Sequence, residues 1–211
     1  MGVSKPVRVK ICGIKDLETA LAAVEAGADA LGFVFAPGPR QVESELVRSI
    51  CSSLPPFVSR TGVFVNAPAS LVEETVLYCG LDTIQLHGSE PPEYYRLFKC
   101  RVVKAFRIGD AVPVEEINRH NCSAVLLDTY VPGLQGGTGI PFDWRLVRKI
   151  ALAKPLILAG GLTPENVRQA VVDAGPYAVD VSSGVETDGK KDIQKIRLFI
   201  QRAKECMKSD F

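Results

Sequence analysis

The sequence predicts an α/β protein, a single-domain (β/α)8 TIM barrel spanning residues 1–211. Three observations predict it. Short apolar, β-branched runs alternate with longer stretches at helical period, and the alternation occurs eight times. The 211 residues allow about 26 per unit, near the lower limit for such a barrel. No linker or low-complexity stretch interrupts the repeat. An open doubly wound sheet is the structural alternative, and the complete set of eight units favours the barrel.

The units follow in order. Val7 to Ile11 (VRVKI) is strand-length, and Asp16 to Ala26 repeats apolar residues at helical spacing before stopping at Gly27. Ala30 to Phe35 is the second strand, followed by a Pro/Gly loop and a helix over Ser44 to Leu54. Arg60 to Val65 precedes a helix from Ser70 to Cys79 that Gly80 ends. Asp82 to Leu86 precedes a helix over Glu90 to Lys99, and Val102 to Phe106 one over Val114 to Arg119. Ala124 to Asp128 leads into a long Gly-rich loop and a helix over Trp144 to Ala153. Pro155 to Ala159 precedes a helix from Pro164 to Ala174, with Thr163 as cap and Pro164 at its first position. Ala178 to Val181 and a helix from Ile193 to Met207 complete the set.

Strand parity then sorts the side chains. Residues of equal parity share one face of a strand, and in a barrel one face meets the helices while the other lines the interior. Val7, Val9 and Ile11 fall on one face of the first strand, Lys10 and Cys12 on the other. Ile84 and Leu86 oppose Gln85 and His87; Val125 and Leu127 oppose Asp128; Val179 and Val181 oppose Asp180 and Ser182. The polar set Lys10, Cys12, Gln85, His87, Asp128, Asp180 and Ser182 therefore collects inside, mostly at the C-terminal strand ends where barrel active sites form. Lys10 with Asp180 also suits a purely structural ion pair.

Three Gly-rich places follow the last three strands. They are Gly136-Gly137-Thr138-Gly139, Gly160-Gly161 and Ser182-Ser183-Gly184. Such backbone cradles phosphate through its N–H groups, and the loops after strands seven and eight are a frequent phosphate site in this fold. Arg40, in the loop APGPRQV after the second strand, has the planar fork that grips a carboxylate.

Composition narrows the partners. Lys plus Arg total 25 against 24 for Asp plus Glu, so no bulk charge draws the chain to nucleic acid or an anionic membrane. No segment reaches the ~20 apolar residues of a membrane span, and the N-terminus MGVSKPVRVKICG lacks the apolar run of a signal peptide. The six cysteines contain no CxxC pair and the only histidines are His87 and His120, so no zinc-ligand cluster is visible. The expectation is a reduced, cytoplasmic protein that binds no metal.

The motifs carry a family likeness. KICGI at Lys10–Ile14, GFVF with a following PR between Gly32 and Arg40, and QLHG at Gln85–Gly88 occur in order. LLDT at Leu126–Thr129, GGTG with FDW between Gly136 and Trp144, LAGGL at Leu158–Leu162 and DVSSGVE at Asp180–Glu186 follow. From about Val7 to Ile200 the chain resembles the phosphoribosylanthranilate isomerases of tryptophan biosynthesis. The resemblance implies an Amadori rearrangement of N-(5-phosphoribosyl)anthranilate without metal or organic cofactor. It aligns Cys12 with the general base, Asp128 with the general acid and Arg40 with the group that holds the anthranilate carboxylate. Lys10, Gln85, His87 and Asp180 line the substrate space, and Gly137, Gly139, Gly160, Gly161, Ser182, Ser183 and Gly184 match the phosphate site. Two loops depart from the usual pattern, FAPGPR before Arg40 and Ile140-Pro141 within GGTGIPFDW.

Rival readings make different demands. Indole-3-glycerol-phosphate synthase shares the phosphate site but usually carries a longer N-terminal extension; six residues precede the first strand here. The histidine-pathway isomerase uses an aspartate where Cys12 stands. A silent phosphosugar-binding barrel needs neither Cys12 nor Asp128. The sequence allows a monomer or a homodimer.

Overall fold

The computed structural model describes residues 6–108, 112–129, 144–148, 150 and 152–205. Eight parallel strands close into a barrel in sequence order: β1 (Arg8–Cys12), β2 (Ala30–Val34), β3 (Ser59–Phe64), β4 (Thr83–Leu86), β5 (Arg101–Ile108), β6 (Ala124–Thr129), β7 (Leu156–Ala159) and β8 (Ala178–Val181). β8 pairs back onto β1, with Lys10 opposite Asp180. Outside lie α1 (Leu17–Glu25), α2 (Ser44–Ser53), α3 (Ala69–Cys79), α4 (Val114–Arg119), α5 (Trp144–Arg148), α6 (Val167–Ala174) and α7 (Ile193–Glu205). No helix among the described residues is long and apolar enough to cross a membrane.

Local chemistry sets the boundaries. Asp16 caps α1, its Oδ1 accepting from the Thr19 amide at 2.7 Å, a contact of the kind that contributes ~1 kcal/mol. Gly80 ends α3 in the left-handed conformation that its missing Cβ permits.

Four expectations change. The helix expected over Glu90 to Lys99 is a 3₁₀ stretch, Pro92–Leu97. Its bonds run from residue i+3 back to i, as from the Tyr94 amide to the Pro91 carbonyl. The helix expected from Pro164 starts at Val167. Thr163 holds the preceding turn, its carbonyl accepting from the Asn166 and Val167 amides and its hydroxyl from the Glu165 amide. The segment after β8 is more than a loop. It folds as a 3₁₀ turn, Ser183–Val185, and a small antiparallel hairpin of β9 (Glu186–Thr187) and β10 (Lys190–Lys191). The helix expected over Trp144 to Ala153 is the shorter α5, with residues 150, 152 and 153 outside it, and the expected end of α7 beyond Glu205 lies outside the described residues.

Two cores follow from strand parity. Val9, Ile11, Ile84, Leu86, Val125, Leu127, Val179 and Val181 point outward into one cluster with the helices. Val103, Ala105, Ala124, Leu126, Ile157, Ala159 and Ala178 form a separate inner cluster on the β5–β8 side. The opposite interior is polar, with Lys10, Thr61, Thr83, Gln85 and Asp180 buried. A half-apolar, half-polar interior places charge only where it has partners, and the partners lie beneath the C-terminal mouth.

Candidate active site

Cys12 is the last residue of β1 and is buried at the barrel mouth. Lys10, one inward step below it, donates to Asp180 Oδ1 at 2.9 Å; both side chains are under a tenth exposed. Burial pushes the Cys12 thiol up, and the Lys10 ammonium only partly opposes it. Burial alone would lower Lys10; Asp180 and Cys12 outweigh it and raise the group. The resting pair is therefore a thiol beside an ammonium.

Gly32 makes room for this set. Lying opposite Cys12 in β2, it has no Cβ where a methyl would stand 2.8 Å from Cys12 Sγ and 3.0 Å from Lys10 Nζ. Alanine at Gly32 forces both side chains aside. The expected result is a stability loss of ~1–3 kcal/mol from overpacking, together with a larger fall in kcat than in substrate affinity. Denaturant midpoints and steady-state kinetics check it.

Across the barrel, Asp128 ends the inward face of β6, and its Oδ2 lies 3.3 Å from His87 Nε2. Gln85 Nε2 meets the other ring nitrogen of His87 at 3.2 Å. Gln85 Oε1 is buried with no hydrogen-bond partner among the described residues. The cation that Asp180 pairs with is Lys10, and the ring that Asp128 meets is His87. Cys12 and Asp128 thus stand on β1 and β6, with β7 and β8 on one side of the gap and β2 to β5 on the other.

Arg40 reaches the same mouth from the loop after β2. Its stem crosses Gly13, where a methyl would lie 2.8 Å from Arg40 Cδ and 3.3 Å from Ser182 Oγ. Its guanidinium grips Glu186, Nε to Oε1 at 2.8 Å and Nη2 to Oε2 at 2.7 Å. Lys191 Nζ donates to Glu186 Oε1 at 2.7 Å and to the Ser182 carbonyl at 2.9 Å. Burial would raise the Glu186 carboxyl, but hydrogen bonds from Arg40 and Lys191 hold it at about 2.

The candidate phosphate loops touch each other. Gly160 and Gly161 turn with φ of 84° and 61° after β7, and Asn166 Nδ2 donates to the Gly161 carbonyl. A Cβ on Gly184 would fall 1.8 Å from the Leu162 carbonyl oxygen. Only glycine lets the Ser182-Ser183-Gly184 backbone press against the loop after β7. Gly137 and Gly139 lie outside the described residues.

Several contacts of the site escape a reading by motif. Glu186 closes the DVSSGVE motif, but its pairing with Arg40 and with Lys191 arises only through the fold. Lys104 lies on the outward, apolar face of β5, yet it is buried and donates to Glu90 Oε2 at 2.8 Å and to the Gly88 carbonyl. Glu90 also accepts from the Asn66 and Gly88 amides, which fixes the loop carrying His87. A cavity of about 540 Å³ opens beside it, lined in part by Asn66, His87, Lys104 and His120. A lysine between Val102 and Phe106 was the available signal.

Known proteins match this architecture throughout. The family model described as N-(5'phosphoribosyl)anthranilate (PRA) isomerase matches residues 9–202. The N-(5'-phosphoribosyl)anthranilate isomerase of Geobacter metallireducens is 53% identical over 200 residues, covering 94% of this chain and 99% of the relative. The crystal structure of phosphoribosyl anthranilate isomerase from Thermotoga maritima superposes with a TM-score of 0.86 at 45% identity, over 94% of this chain and 98% of that one. A structure of such an isomerase with reduced 1-(o-carboxyphenylamino)-1-deoxyribulose 5-phosphate gives a TM-score of 0.80 at 43% identity, over 94% and 98% of the two chains. With a family model spanning nearly all of it and a relative sharing half its residues, the chain belongs to the N-(5'-phosphoribosyl)anthranilate isomerase family.

Proposed function

We propose that the protein converts N-(5-phosphoribosyl)anthranilate into 1-(2-carboxyphenylamino)-1-deoxyribulose 5-phosphate, with Asp128 as general acid and Cys12 as general base. The observation that carries this reading is the pair of proton-transfer groups on β1 and β6, facing one mouth that also holds a guanidinium and two abutting Gly-rich loops. The family membership supplies the substrate class.

The chemistry accounts for each group. Asp128 gives a proton to the ribose ring oxygen as its bond to C1 breaks, and the anthranilate nitrogen supplies the electron pair that makes a C1–N double bond. The resulting iminium acidifies the C2 hydrogen. Cys12, with the Lys10 ammonium beside it to favour its thiolate, removes that proton. The electrons return to nitrogen and give an enolamine, which becomes the ketone as the C2 hydroxyl loses its proton and C1 gains one. Atoms and charge balance, as an isomerisation requires. Arg40 holds the anthranilate carboxylate. The backbone amides of Gly161, Ser183 and Gly184 hold the phosphate. His87 keeps Asp128 oriented, and Lys10, Gln85 and Asp180 form the floor under the sugar.

Freshly generated substrate tests this directly, because its fluorescence decays on conversion. The expected result with EDTA present is rapid decay with the wild-type protein and decay slower by ~10²-fold or more with Asp128→Asn. Wild-type protein that binds a phosphosugar without consuming the substrate overturns the reading in favour of a silent barrel.

A further inference from the structure

Arg40 has two usable edges, and among the described residues one of them is taken. Its guanidinium carries five N–H donors in a plane. The Nε–H and one Nη2–H go to the two oxygens of Glu186. The remaining edge, Nη1 with the second hydrogen of Nη2, has the spacing for a second carboxylate.

Burial shows which partner is the fixed one. The Glu186 side chain is 9% exposed and that of Lys191 is 4%, whereas Arg40 is 33% exposed. The anion is anchored in the fold, between β8 and α7, and the guanidinium projects from it. Lys191 adds the second anchor by holding both Glu186 Oε1 and the Ser182 carbonyl. With two cations around one anion, the cluster keeps one positive charge beside Cys12. A carboxylate held at about 2 is ionised at neutral pH.

We propose that Glu186 is a positioning residue, which fixes the guanidinium of Arg40 so that its second edge faces the carboxylate of the substrate. Lys191 offsets the charge of Glu186 so that it does not repel that carboxylate. The inference rests on the reading of Arg40 as the carboxylate anchor. The same chain of contacts, Arg40 to Glu186 to Lys191 to Ser182, ties the carboxylate subsite to the loop assigned to phosphate. The two ends of the substrate are thereby held at a set separation, an arrangement that selects aromatic carboxylates by length as well as charge.

The test compares Arg40→Ala, Glu186→Ala and the double variant, with Glu186→Gln as the volume-conserving control. KM and kcat for phosphoribosylanthranilate are measured alongside inhibition by inorganic phosphate. Glu186→Ala is expected to raise KM by ~10-fold or more, with a smaller change in kcat and in phosphate inhibition. Glu186→Gln falls between it and wild type, and the double variant is no worse than Arg40→Ala alone. An unchanged or lower KM for Glu186→Ala, with Arg40→Ala still impaired, overturns the positioning role and leaves the anchor intact. Additive effects in the double variant, or an equal loss of phosphate inhibition, overturn it too. If Arg40→Ala itself leaves KM unchanged, the anchor reading fails first. Should the alanine variant not fold, Glu186→Gln serves in the same comparison.

Discussion

Serine in place of Cys12 lowers kcat by a factor of ~10²–10⁴, the range that a positioned general base contributes. The substitution keeps the size and the rotamer choices of the side chain, so the contacts with Lys10 and Gly32 survive. It removes only the group whose conjugate base is accessible, because a serine hydroxyl ionises far above a thiol. Binding of a product analogue therefore stays within roughly threefold of wild type. Loss of binding with turnover retained would exclude Cys12 as the base. The pH profile gives a second, independent handle. Burial, against the weaker opposing pull of Lys10, raises the Cys12 thiol above its ordinary value. Below that value the thiolate fraction rises about tenfold per pH unit, so wild-type kcat/KM climbs from neutral into alkaline solution. Alkylation of Cys12 by iodoacetamide climbs in parallel, since the thiolate is the nucleophile. A profile already flat at pH 7 contradicts the assignment. Cys51 is pushed to about 12 and Cys79, Cys100 and Cys122 are also raised by burial; mass mapping of the Cys12 peptide separates its alkylation from theirs and from that of Cys206.

Parity made the inner wall of the barrel legible. Lys10 and Cys12 alternate with Val9 and Ile11, and Asp128 with Leu127, because a strand repeats every two residues whatever its neighbours do. The pairing of Lys10 with Asp180 follows from the closure of β8 on β1. What parity cannot supply is contact between loops. Arg40 and Glu186 lie 146 positions apart, and neither sits in a periodic element that announces its partner. Gly32 shows an intermediate case. Its inward position in β2 follows from parity, but its purpose appears only once the long side chains of β1 are seen to need the space. The outward lysine of β5 broke the apolar pattern that should have marked it. The β9–β10 hairpin had its signal in Asp188-Gly189, a two-residue turn with φ of 51° and 74°, although its two-residue strands carry too little pattern to register by themselves.

Methionine in place of Lys10 separates what the buried ion pair does for the fold from what it does for the reaction. Lys10 and Asp180 are 7% and 8% exposed at 2.9 Å, so removing the cation strands a carboxylate where water cannot reach it. The expected loss of stability is ~3–5 kcal/mol. Alanine at Arg8, whose pair with Asp29 has the same 2.9 Å length but a side chain 55% exposed, costs only ~0–1 kcal/mol. The contrast reflects burial together with the second cation that Asp29 keeps, Lys204 at 2.9 Å. Replacing both partners, Lys10→Met with Asp180→Leu, removes the stranded charge and recovers most of the lost stability, since apolar pairs of similar volume substitute well for buried ion pairs. Turnover does not recover with it. Cys12 then has no ammonium beside it, its thiol rises further, and proton removal from the substrate slows in the well-folded double variant. Denaturant unfolding and steady-state turnover on the three proteins decide the matter: a double variant restored in both measures would make Lys10 a structural residue only, and the burden of activating Cys12 would pass to Lys191 and Arg40, two other cations whose charges reach the thiol.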